Sequence, residues 1–82
     1  MLQKTAIPIA KIHVPVKRVK TLDAAKVAEI AENMLEVGQT TPIRVREDGE
    51  RFVLVEGLHR LEALRALGED TVDSYLVHAR LH

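Results

Sequence analysis

Residues 52–68 read FVLVEGLHRLEALRALG. The apolar run Phe52-Val53-Leu54-Val55 is the pattern of a buried strand, and Gly57 stands where it gives way to a helical repeat. Leu58, Leu61, Leu64, Ala66 and Leu67 recur at the spacing that turns one helix face to a core, and Gly68 stands where the helix closes. The polar first turn is His59 and Arg60. Cations are unfavourable there, because the free N–H groups and the macrodipole of a helix start already attract anions. The pattern therefore predicts an anion. Gly57, without a Cβ, lets a ligand approach the backbone, and the amides that follow, from Leu58 on, point at it. Arg60 offers a fork for two phosphate oxygens, and His59 adds a donor near neutral pH. The competing reading is a structural junction in which Arg60 pairs with Glu56 or Glu62.

Upstream, Ile43 and Val45 alternate with Arg44 and Arg46, and Asp48-Gly49 supplies a turn. Residues 42–55 are thus expected to form a hairpin. Before it, Val27, Ile30, Ala31, Met34 and Leu35 fall on one helical face, with Thr21 or Asp23 as cap and Gly38 as stop. At the N-terminus, Ile7, Ile9, Ile12 and Val14 mark one or two short strands ended by Pro15, and Pro8 confines them to an edge. Val72 to Ala79 reads as a final strand, and the last few residues are expected to fray. The sum is an α+β fold, a small mixed β-sheet with two main helices, in a single domain over residues 1–82.

Composition narrows the function. Eighty-two residues, 46% of them hydrophobic, suffice for one core. The absence of cysteine excludes disulfides, thiolate nucleophiles and cysteine metal sites. No stretch approaches the ~20 apolar residues of a membrane span, and no signal peptide is evident, so the expectation is a cytoplasmic protein with no membrane partner. The net charge is zero, yet residues 1–22 hold Lys4, Lys11, Lys17, Arg18 and Lys20 without an acid. This strip is +5, balanced by seven basic and twelve acidic residues after it. With only Phe52 and Tyr75 as aromatic residues, autonomous nucleic-acid binding is not expected, and any DNA contact would be weak or indirect.

Several of these residues together carry a family resemblance. Arg18, the helix opened by Leu22-Asp23, the segment Val37-Gly38-Gln39-Thr40-Thr41-Pro42-Ile43-Arg44-Val45, and Val55-Glu56-Gly57-Leu58-His59-Arg60 with Ala63 follow one another in an order that resembles the N-terminal domain of the ParB/sulfiredoxin superfamily, over about residues 12–80. The resemblance implies that fold and a Gly-x-x-Arg loop holding the phosphates of a nucleoside triphosphate, CTP as in ParB or ATP as in sulfiredoxin, with Mg²⁺. It implies nucleotide or phosphate contacts at Gly57, Leu58, His59 and Arg60, and brings Arg18, Gln39 and Thr41 toward the same site. It also implies a bacterial origin and a role in plasmid or chromosome partition or in transcriptional regulation.

The departures limit the transfer. Leu58 occupies the position of sulfiredoxin's catalytic cysteine, which rules out sulfinic-acid reduction. Where ParB has Gly-Glu-Arg-Arg, this chain has Gly57-Leu58-His59-Arg60, which puts metal-assisted hydrolysis in doubt. ParB continues into helix-turn-helix and dimerisation regions that these 82 residues do not contain, so a complete partition clamp is not expected. Glu56 is the one candidate for a catalytic or Mg²⁺-holding carboxylate. His13, His59, His78 and His82 lack metal-ligand spacing, so no metal site of protein ligands alone is expected. Ser74, the only serine, is expected within the last strand and away from any triad. Nucleotide binding without efficient turnover is the preferred function. The alternatives are a small-molecule kinase or ParB-like nuclease, and a ligand-free protein-interaction domain using the hairpin edge or the Leu-rich helix. Small size also favours a homodimer.

Overall fold

The computed structural model describes residues 3–78. The hairpin is its centre. β3 (Ile43–Asp48) and β4 (Arg51–Glu56) pair antiparallel around Gly49-Glu50, with positive φ confined to Gly49 as a type II′ turn requires. Arg51 closes the turn by donating through Nε to Asp48 Oδ2 at 2.9 Å. On the other side of β3, β5 (Thr71–Leu76) runs parallel to it, and β1 (Lys4–Pro8) then pairs antiparallel with β5. The two-residue β2 (Ile12–His13) lies parallel to β4 and completes the order β1-β5-β3-β4-β2.

Pro8, followed by a 3₁₀ turn at Ile9–Lys11, interrupts the N-terminal segment, so its two halves occupy opposite edges of the sheet. β5 covers the β3 side of the hairpin, whereas β2 covers β4 only at Phe52 and Val53. The last strand ends at Leu76 among the described residues, whereas Ala79 and the expected frayed end lie outside them.

Three helices complete the fold: α1 (Val16–Val19), α2 (Ala24–Val37) and α3 (Leu58–Ala66). Asp23 caps α2, its Oδ1 accepting from the N–H groups of Ala25 and Lys26, while Thr21 instead donates to the Arg18 carbonyl. α3 is the buried helix. Leu61 and Ala63 are wholly enclosed, with Leu58 and Leu64 nearly so, and they join Ile7, Ile43, Val45 and Val72 in one core. α2 packs mainly on α3, burying Met34 and half-burying Val27, Ile30 and Ala31. Leu35 departs from expectation at 72% exposed, because one neighbouring helix covers too narrow a stripe of α2 to include it. Ala66, in the last turn of α3, is exposed as well. Ser74 is buried in β5, its hydroxyl donating to the Val72 carbonyl.

Candidate functional site

The start of α3 is open. Gly57 is its N-cap at φ 108° and ψ 31°, and no side chain caps the helix. The first intrahelical bond is donated by Leu61 to the Gly57 carbonyl at 2.9 Å, so the N–H groups of Leu58, His59 and Arg60 precede any intrahelical acceptor. Packing adds a second reason for the glycine. A Cβ at Gly57 would lie 2.6 Å from Ile43 Cγ2 and 2.9 Å from Ile43 Cβ. The space that a side chain would take is filled by β3, so packing and the left-handed backbone both call for glycine here, while Gly57 itself lines the cleft.

The expected site residues are then placed one by one. Leu58 is buried in the core and also borders the cleft. His59 Nε2 accepts a hydrogen bond from the Asp23 N–H at 3.1 Å. That bond assigns the proton of the neutral ring to Nδ1, which becomes the nitrogen able to donate. Arg18, delivered by α1, donates through Nη2 to the Val55 carbonyl at the end of β4. Glu56 pairs with Arg44 at 3.4 Å rather than with Arg60, because the β3–β4 register sets the two residues opposite one another. Glu62 pairs with Arg65, three residues along α3, at 3.3 Å rather than with Arg60.

These elements enclose a cleft of about 500 Å³, within the ~300–1,000 Å³ usual for small-molecule sites. Arg18, Thr41, Glu56, Gly57, Leu58, His59 and Arg60 all line it. Gln39 does not, since its carboxamide is bonded to the backbone of Thr41 and Asp73. Lys26, Arg44 and Tyr75 line the cleft without having been anticipated. Lys26 falls in the first turn of α2 beside its cap, a signal the sequence does carry. Arg44 and Tyr75 reach the cleft through strand register, for which the sequence has no comparable mark.

Among the described residues lining the cleft, Arg18, Lys26, Arg44 and Arg60 face a single carboxylate, Glu56, in a molecule of zero net charge. The excess of three positive charges adds to the partial charge of the α3 start. Such a surface suits a polyanion with several oxygens. Among the described residues, no three His, Asp or Glu side chains gather as a metal cluster, and no helix is long and apolar enough to cross a membrane.

The sequence pattern of the ParB N-terminal domain matches residues 2–80. The chain belongs to that family. This ParB N-terminal domain is 33% identical over 66 residues to the chloroplastic/mitochondrial sulfiredoxin of Arabidopsis thaliana, covering 80% of the chain and 53% of the relative. It is 32% identical over 75 residues to a probable chromosome-partitioning protein ParB of Campylobacter jejuni, covering 90% and 27% respectively. It thus spans about half of one relative and a quarter of the other. Among solved structures, sulfiredoxin from A. thaliana superposes with a TM-score of 0.84 at 28% identity, covering 94% of the domain and 86% of that chain. A truncated ParB from Caulobacter crescentus, complexed with CTP-gamma-S, gives 0.83 at 20% identity, covering 95% and 46%. A free serine kinase in complex with ADP gives 0.78 at 18%, covering 90% and 30%. The last two share the fold of this ParB N-terminal domain, and the expected α+β architecture with its mixed sheet is the one observed.

Proposed function

We propose that this ParB N-terminal domain binds a nucleoside triphosphate, CTP or ATP, with its phosphates at the start of α3. One observation carries the reading: the uncapped N–H groups of α3 and four cationic side chains from α1, α2, β3 and α3 converge on one cleft. The donor chemistry fits a phosphate chain. Backbone N–H groups hold an oxyanion, Arg60 provides a planar fork, and Lys26 a mobile point charge. The neighbours complexed with CTP-gamma-S and ADP share this fold and support the same ligand class.

Binding without efficient turnover is the favoured activity. Glu56 is the one carboxylate lining the cleft among the described residues, so it is the residue that would hold Mg²⁺ beside the phosphates or accept a proton. The paired carboxylates of a two-metal nuclease are not gathered there. On this reading the domain is a nucleotide-responsive module of a partition or regulatory system, with a protein partner or a second copy reading its surface and DNA contact indirect.

The test is isothermal titration with CTP, ATP, GTP and their diphosphates, with and without Mg²⁺, on the wild type and Arg60→Ala. Saturable binding that weakens by about 1.5–3 kcal/mol in the variant, with an unchanged circular dichroism spectrum, is expected for a bidentate phosphate contact. A wild type that gives no heat with any nucleotide would sink the reading and leave a protein-interaction domain. Sedimentation during the same titration decides between monomer and dimer.

A further inference from the structure

The side chain of Gln39 stands outside the cleft yet is bonded to two of its walls. Between the end of α2 and the start of β3 the chain passes through Pro42, which has no N–H to offer the neighbouring strand. The Gln39 carboxamide supplies what the backbone lacks. Its Oε1 accepts from the Asp73 N–H at 2.9 Å, while Nε2 donates to the Asp73 carbonyl at 2.9 Å and to the Thr41 carbonyl at 3.0 Å. One amide group has the donors and the acceptor for all three bonds together. In effect it lengthens β3 by one side chain along β5.

Both tethered segments face the cleft. Thr41 and Pro42 line it directly, and Tyr75, two residues beyond Asp73 and so on the same face of β5, lines it as well. In register across the sheet, Tyr75 stands beside Arg44 and Arg44 beside Glu56. Two strand spacings, about 10 Å, therefore separate Tyr75 from the start of α3. Phosphates held at α3 leave the nucleoside to lie along the wall that Gln39 braces.

We propose that Gln39 is a positioning residue whose carboxamide fixes the Thr41–Pro42 segment against β5 and thereby shapes the nucleoside end of the cleft. The inference rests on the nucleotide reading above. Its test compares a nucleotide with inorganic tripolyphosphate, which needs only the α3 end. Gln39→Met keeps the side-chain volume and removes all three bonds. In titrations at fixed ionic strength, the Kd for the tighter of CTP and ATP is expected to rise by at least about fivefold, the loss of roughly one net hydrogen bond. The tripolyphosphate Kd is expected to stay constant within the error of the titration. In parallel, the Asp73 amide should lose hydrogen-exchange protection.

Equal weakening for both ligands would overturn the proposal in favour of a general loss of structure, and so would an unchanged nucleotide Kd. A wild type that binds tripolyphosphate alone would overturn it too, while leaving an anion site at α3. A wild type that binds neither removes the nucleotide reading and this inference with it. If Gln39→Met is too unstable to titrate, Gln39→Leu removes the same three bonds without adding a charge beside the cleft, so the same comparison decides.

Discussion

Glu56 and Arg44 set the residue-scale problem of this cleft, because the carboxylate holds a cation that an incoming anion needs. Both side chains are half exposed or more, so their pairing is screened and contributes under about 1 kcal/mol. Glu56→Gln is accordingly expected to tighten inorganic tripolyphosphate binding by about two- to fivefold, measured by titration without metal. Weaker binding would show that the carboxylate positions Arg44 rather than competing for it. Gly57 makes a different prediction. Gly57→Ala adds a Cβ against Ile43 at a backbone angle that L residues avoid, and should destabilise the fold by about 2–4 kcal/mol in urea denaturation. Weakened binding in that variant would then report unfolding, not a lost contact. Arg60 and Gly57 were legible from the sequence because a glycine and two cations at a helix start are chemically odd. Arg44 was not, since alternation placed it on a strand but nothing in the sequence stated which residue would stand opposite.

At the scale of elements, the link between α2 and α3 is the cap of one and the imidazole of the other. Asp23 caps α2 through its carboxylate, and its own N–H is taken by His59. Asp23→Ala should cost about 1 kcal/mol of stability, with Asp23→Asn near wild type, in parallel thermal melts. Equal losses in the two variants would argue that charge rather than capping matters there. The hairpin, α2 and α3 were readable because each has a periodic pattern bounded by turn chemistry. α1 was not. Four residues, Val16-Lys17-Arg18-Val19, are too few for periodicity, and helix formation there follows from Pro15, whose carbonyl accepts from the N–H groups of Arg18 and Val19. The exposure of Leu35 was equally hidden, since amphipathic spacing marks a face without stating how much of it a neighbour will cover.

For the whole molecule, zero net charge conceals a cleft whose described lining carries four cations and one carboxylate. Binding there should weaken as salt rises through about 0.1–0.5 M, because the exposed charges are screened over a Debye length of ~10 Å at the lower limit. Affinity indifferent to salt would contradict an electrostatic site. Ligand at about a hundred times its Kd should add about 2.7 kcal/mol of stability. For a domain of this size that is roughly a 10–20 °C rise in melting temperature, readable by calorimetry.

The strand order has a consequence for the order in which the polypeptide folds. β5 sits between β1 and β3, and among the described residues β1 pairs with β5 alone. The β3–β4 hairpin closes over a two-residue turn, so its contacts are local and cost little loop entropy. Lys4–Pro8 meets Thr71–Leu76 only across almost the whole described chain, so the β1 edge of the sheet is the slow, non-local part of folding.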